Sequence, residues 1–254
     1  MRAVKFKLKG RNAFFKKPEV NTYCYFTYGQ IHKMALLGIF GAILGYDGYG
    51  IKKQERKAKG QPTTEEYPEF YRKLKDLKIC VIPENEQGYI PKKIQQYNNS
   101  VGYASAETGG NLIVKEQWLE NPEWEIYFMI DSEEAELLAD FLINSKCIYI
   151  PYLGRNNHIA DIEEVERVSL KEIYLEELQI SSMFPKSIGS ILLPDDEDEI
   201  EPFKYEEKLP SALNGYTNLY EYQTFCYTNL PVKIKENKYN AFSLLLFKIF
   251  FVSF

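Results

Sequence analysis

Cations and flat rings interleave near the start of this chain in a way that suits a polyanion. Arg11, Asn12, Phe14, Phe15, Lys16 and Lys17 follow one another between Gly10 and Pro18, and the proline biases Lys17 toward extended backbone. His32 and Lys33 then open an apolar run over residues 31–44. A helix starting there would place both cations at an end whose dipole is already positive, and such an end attracts an anion. The same pair also reads as two solvated residues at a helix start. A second set lies in residues 151–158, where Gly154, Arg155, Asn156, Asn157 and His158 could hold a phosphate or a base edge, or simply turn the chain. Lys52 and Lys53, with Arg56, Lys57 and Lys59 around Gly60 and Pro62, form a further basic stretch that reads as an exposed loop.

The elements that must position these residues are legible as patterns. Residues 3–9 alternate strictly, with Val4, Phe6 and Leu8 on one face and Lys5, Lys7 and Lys9 on the other, which predicts a strand with a wet, basic face. The run 31–44 is long enough for a buried helix and too short to span a bilayer. Gly38, Gly41 and Gly45 share one face of that helix. A helical glycine costs roughly 1 kcal/mol relative to alanine, so a very close neighbour is expected there, a sheet. Residues 67–77 predict a short helix, and 78–82 a strand ended by Pro83.

Residues 111–117 and 125–130 predict a hairpin around Asn121 and Pro122, with Trp118 and Trp124 at its tip. Asp131 with Glu134 predicts the N-cap of a helix bearing Leu137, Leu138, Phe141 and Leu142 on one face. Residues 147–150 predict the next strand. The order strand, helix, strand pair, helix, strand is the ferredoxin-like (RRM-related) β-α-β-β-α-β plan with insertions. The expected architecture is α+β: a ferredoxin-like domain over 1–160 with an inserted loop region at about 50–110, and a smaller β-rich extension over 161–254.

Composition narrows the function classes. Of 254 residues, 45% are hydrophobic and 26% charged, which argues against general disorder, and 20 Tyr and 16 Phe supply rings for stacking or packing. Charge is uneven: residues 1–60 carry 13 Lys and Arg against 3 Asp and Glu, and residues 101–254 carry 12 against 27. A basic first quarter on an otherwise acidic chain suggests a local polyanion-binding face. Cys24, Cys80, Cys147 and Cys226 are far apart, without a C-x-x-C pair and with only two His in the chain. Neither a zinc cage nor a disulfide framework is expected, and no cofactor. No apolar leader follows Met1, so a cytoplasmic protein is expected.

Three stretches in order, Phe6-Lys7-Leu8-Lys9-Gly10, then Ala13-Phe14-Phe15-Lys16-Lys17-Pro18-Glu19, then the run from His32 to Gly45, resemble the opening of the Cas-five subunits of type I CRISPR Cascade complexes, members of the RAMP superfamily. The likeness is greatest to the type I-B group. Tyr152-Leu153-Gly154-Arg155 is similar to the family's mid-chain Leu-Gly loop, and Leu209-Pro210 to its late motif. Tyr28-Gly29-Gln30 stands where many relatives have a Pro-rich turn, and residues 240–254 have no counterpart.

The resemblance implies a non-catalytic CRISPR RNA-binding subunit of an antiviral surveillance complex. Such a subunit holds the repeat-derived 5′ handle of the guide RNA and caps the backbone, beside the backbone subunit (Cas-seven) and the large subunit (Cas-eight). It meets target DNA through the complex, with no membrane involved. The resemblance carries RNA binding onto Arg11, Asn12, Lys16, Lys17, His32 and Lys33, with Arg155 and His158 as further contacts and Lys52 and Lys53 beside them. The chemistry agrees, because single-stranded RNA is gripped by cations on phosphates and by aromatic faces under splayed bases. Type I-C relatives imply the alternative, a metal-independent endoribonuclease using Tyr28, His32 and Lys33 as base, acid and charge stabiliser. A third reading is an adaptor that binds proteins through residues 216–227 and 243–254.

Overall fold

The alternation in the first strand decides the layering. A computed structural model describes residues 1–19, 22–48, 67–100, 106, 108, 110–173, 176–193, 201–235, 241–244 and 247–251, without the side chains of 241–250. In it β1 (Arg2–Lys9) lies inside a four-stranded antiparallel sheet with β3 (Ile79–Pro83), β6 (Glu123–Met129) and β7 (Asp161–Ser169), in the order β3-β6-β1-β7. Val4, Phe6 and Leu8 are fully buried in the main core with α1 (Lys33–Leu44), α2 (Glu69–Leu74) and α3 (Glu133–Ile143). Phe40 of α1 meets Phe6 at 6.2 Å and Phe128 at 5.7 Å between ring centroids; burying each such ring contributes about 1.5–3 kcal/mol. The elements on this sheet run strand, two helices, strand, strand, helix, strand, so the fold is α+β as expected.

The opposite face of β1 departs from expectation. Lys5 is held by Glu125 at 2.6 Å and Glu166 at 3.8 Å, Lys7 by Glu123 at 3.2 Å and Glu164 at 3.4 Å, and Lys9 by Glu163 at 2.8 Å. The flanking strands β6 and β7 thus neutralise the lysine row. It is a laced sheet surface rather than a free cationic one.

Two strand assignments also move. Residues 147–150 form no strand; Ile148 and Tyr149 donate their N–H groups to the carbonyls of Ile43 and Ala42, at 2.9 and 3.1 Å, and so satisfy the end of α1. The fourth strand is β7, whose Glu-rich sequence is interrupted by a bulge where Glu164 takes φ 53°. The expected hairpin is a corner instead. β5 (Ile113–Glu120) pairs with β4 (Lys92–Asn98) and with β2 (Asn12–Ala13), whereas β6 pairs with β1 and β3. The chain changes sheets at Asn121, which has φ 46°. Trp124 is fully buried there and donates to Gln30 Oε1 at 2.7 Å.

The helix caps show what local chemistry does. Ser132, one residue past the expected Asp131, caps α3, its Oγ accepting from Ala135 N at 3.2 Å, while Asp131 pairs with Lys78 at 2.8 Å. Two of the three glycines are close approaches: a Cβ at Gly41 would lie 2.5 Å from Cβ of Phe70 on α2, and one at Gly45 would lie 2.9 Å from Cγ2 of Ile148, so the near neighbours are helix α2 and the segment after α3, not a sheet. Gly45 ends α1 with φ 76°, and Gly38 is exposed with nothing within 4 Å.

Beyond β7 the chain is β-rich. β8 (Lys171–Ile173) pairs with β15 (Ala241–Leu244), which also pairs with β16 (Phe247–Phe250). β9 (Glu177–Gln179) and β11 (Gly189–Ile191) flank β14 (Pro231–Ile234), and β10 (Phe184–Pro185) joins the long ladder of β12 (Lys204–Leu213) and β13 (Tyr220–Thr228). Among the described residues no helix is long and apolar enough to cross a membrane, and no His, Cys, Asp and Glu group could hold a metal ion. No disulfide joins the four cysteines; Cys80 and Cys226 are buried and Cys147 is exposed.

Candidate nucleic-acid interface

The basic N-terminal segment is tied down by its own backbone. Lys17 N donates to Phe26 O at 2.8 Å and Tyr28 N to Phe15 O at 2.9 Å, so residues 13–17 and 25–28 lie side by side. Tyr25 in turn exchanges bonds with β5, its N–H reaching Lys115 O and its carbonyl taking Gln117 N. Phe14 and Phe15 turn into the core. Lys16 stays exposed, its ammonium 3.8 Å from the centre of the Tyr25 ring, a cation–π contact. Lys17 lies 5.1 Å over Tyr28 and pairs with Glu207 at 3.1 Å. Arg11 is exposed, and neither it nor Lys16 forms an ion pair with a described residue. Tyr23, 90% exposed, extends the aromatic surface.

The loop 151–158 is brought to this segment through a close backbone contact. Phe14 N donates to Leu153 O at 3.0 Å, and Gly154 follows with φ 85°, where a Cβ would overlap the carbonyl oxygen of Phe14. Only glycine fits that approach in that conformation. The loop closes on itself through Leu153 N to His158 O at 2.7 Å and His158 N to Arg155 O at 2.9 Å. Arg155 leans over the arm made by β4 and β5. Its Nη1 donates to Tyr97 OH at 2.6 Å and to Glu116 Oε2, and the guanidinium lies 5.4 Å from the Tyr97 ring centre. Glu116, 5% exposed, also accepts from Tyr97 OH at 2.9 Å and Trp118 Nε1 at 2.8 Å.

His158 is the floor of this region rather than its surface. It is 4% exposed, edge-on to Trp118 at 4.5 Å, with neither ring nitrogen hydrogen-bonded to a described residue. Burial, and then the charge of Arg155, lower its pKa, so the ring is neutral. Asn12 lies opposite Glu120 in the β2–β5 ladder, and its Oδ1 is likewise buried without a partner among the described residues.

His32 and Lys33 are inside the protein, contrary to the surface position expected of an anion site. His32 caps α1, its Nδ1 accepting from Ala35 N at 3.2 Å, with Tyr28, Phe15 and Tyr220 rings 5.1, 5.9 and 6.0 Å away. Burial alone lowers its pKa to about 3. Lys33, 8% exposed, donates to the carbonyl of Lys75 at the end of α2 at 2.7 Å; burial lowers its pKa to about 8 against the pull of Asp76. Tyr28 is buried too, its hydroxyl 3.3 Å from that of Tyr222, and burial with that bond pushes its pKa well above the usual tyrosine value. Tyr28 and His32 therefore adjoin, while the amine of Lys33 serves α2. Lys52 and Lys53 lie outside the described residues.

Tyr97, Glu116 and Trp118 are the residues sequence reading passes over. They share one face because Lys93 faces Trp118, Gln95 faces Glu116 and Tyr97 faces Val114 across the β4–β5 ladder. The period-two spacing Lys93, Gln95, Tyr97 is visible in the sequence; the register that joins it to Trp118 is not.

No protein-family model matches the chain, and no curated protein matches it. Among solved structures it is similar to a CRISPR protein from Archaeoglobus fulgidus, at 10% identity and a TM-score of 0.50 over 100% of both chains. It is also similar to a chain of a CRISPR RNA-guided surveillance complex, at 13% identity and TM-score 0.49 over 92% of this chain and 91% of that one. A third likeness is to a chain of the Type III-B Cmr-beta complex bound to cognate target RNA and AMPPnP, at 14% identity and TM-score 0.49 over 92% and 86%. The likeness to the Archaeoglobus protein is one of fold, and it runs the whole length of the chain.

Proposed function

We propose that this chain is a CRISPR-associated RNA-binding subunit, of the Cas-five kind in a type I, I-B-like Cascade complex, that holds the 5′ handle of the guide RNA. One observation carries the reading: backbone hydrogen bonds join the 11–17 segment to the 23–28 segment and to the 151–158 loop, which set Lys16 over Tyr25 and Arg155 over Tyr97, while Arg11 and Tyr23 are exposed on the same segments. Cations for phosphates and rings for bases are what an unpaired strand needs. The partners that follow are the guide RNA, the neighbouring backbone subunit, the large subunit and, through the complex, target DNA. The shared fold with a CRISPR protein supports the reading.

The test is binding of single-stranded repeat RNA across a salt series. Arg11→Glu with Lys16→Glu, both at exposed positions, is expected to weaken binding at least tenfold. It should also flatten the slope of log affinity against log salt by about 1.4, at about 0.7 per phosphate on a single strand. Equal affinity and slope for the two proteins would contradict the proposal.

We propose further that the chain is not itself a nuclease. The amine of Lys33 is engaged by the Lys75 carbonyl, and a buried imidazole with a pKa of about 3 holds no proton to donate near neutrality. Incubation with repeat RNA in EDTA should leave the RNA whole. Discrete cuts that vanish in His32→Asn would establish catalysis instead.

A further inference from the structure

We infer that Glu116 is a positioning residue for Arg155, and that the two join the β4–β5 arm and the 151–158 loop into one built site for an RNA phosphate; this rests on the RNA-binding reading above. An arginine offers five N–H donors in a fixed fork. Here Nη1 is committed inward, to Tyr97 OH and Glu116 Oε2, while Nε and Nη2 bond no described residue and the side chain is 31% exposed. The outward edge of the fork is the edge that receives an oxyanion in a paired fashion.

Glu116 cannot drift from its place. Tyr97 OH bonds its Oε1, and Trp118 Nε1 and Arg155 bond its Oε2, so both oxygens are taken and the carboxylate is nearly closed off from water. The ring of Tyr97 lies under the guanidinium. Arg155 therefore gives up little rotamer freedom on meeting a phosphate, which a free surface arginine would lose at that moment.

The arrangement makes a prediction of unusual sign. Removing a negative charge beside a phosphate site ordinarily strengthens anion binding, since like charges repel. If Glu116 acts through Arg155, its loss weakens binding. A short labelled single-stranded RNA, titrated by fluorescence anisotropy over a salt series, separates the cases. Arg155→Ala is expected to weaken binding about tenfold, the scale of one hydrogen-bonded charged contact, and to lower the salt slope by about 0.7. Glu116→Gln should weaken binding in the same direction and add nothing in the double variant with Arg155→Ala. Tyr97→Phe, which keeps the carboxylate and the packing, should weaken binding likewise, and it carries the test if Glu116→Gln does not fold.

Equal or tighter binding by Glu116→Gln, or additive losses in the double variant, overturns the inference. Normal binding by Arg155→Ala overturns this site while leaving RNA binding by the N-terminal segment intact. No binding by the unmodified protein overturns the RNA reading itself and the site with it.

Discussion

His32 does for α1 what an asparagine does at many helix starts. Its Nδ1 accepts the N–H of Ala35 at 3.2 Å, which only an uncharged ring nitrogen can do, and burial keeps its pKa at about 3 against an ordinary 6.5. The sign of the linkage follows: the unfolded chain takes up the proton first as pH falls, so this residue's contribution is lost from pH 6.5 downward toward 3. His32→Asn keeps the cap and is expected to flatten the loss of stability measured by urea unfolding down to about pH 4. An unchanged acid slope would show that other groups dominate. At this scale Arg11 and Lys16 were legible as cations because they fall in the basic run between Gly10 and Pro18. The burial of His32 and Lys33 was not legible, since the residues that cover them, Tyr220 and Lys75, come from segments far along the chain.

At the scale of elements, two glycines on one helix separate cost from purpose. Gly38 is exposed with nothing within 4 Å of a Cβ, so Gly38→Ala should stabilise the fold by about 0.5–1 kcal/mol through helix propensity. At Gly41 a Cβ would meet Phe70 Cβ at 2.5 Å, so Gly41→Ala should destabilise by about 1–3 kcal/mol through overpacking. Urea midpoints of the two variants should therefore move in opposite directions, and parallel shifts would contradict the α1–α2 packing. Helix α1, strand β1 and strand β3 were readable because their apolar periods are unbroken. The fourth strand was not, since the bulge at Glu164 breaks the alternation of β7 while the β-prone residues 147–150 are used to cap α1. The corner at Asn121 looks like a hairpin turn for a similar reason: turn chemistry fixes the local bend, and strand pairing fixes which sheets it joins.

For the whole molecule, the charge swing along the sequence overstates the cationic surface. The lysines of β1 are paired by carboxylates of β6 and β7, and Lys17 is paired by Glu207, so folding brings acidic later segments onto much of the basic first quarter. Arg11 and Lys16 form no ion pair with a described residue, and their segment is bonded to the 151–158 loop through Phe14. A long guide bound here should avoid the laced face of the sheet and follow this one side.

Photo-crosslinking of thiouridine-substituted repeat RNA to the purified chain, with the linked peptides identified by mass spectrometry, tests that path most directly. The account predicts links within residues 11–28, 93–118 and 152–158. Links concentrated on the Lys5, Lys7 and Lys9 face or on α3, or none at all, would contradict it.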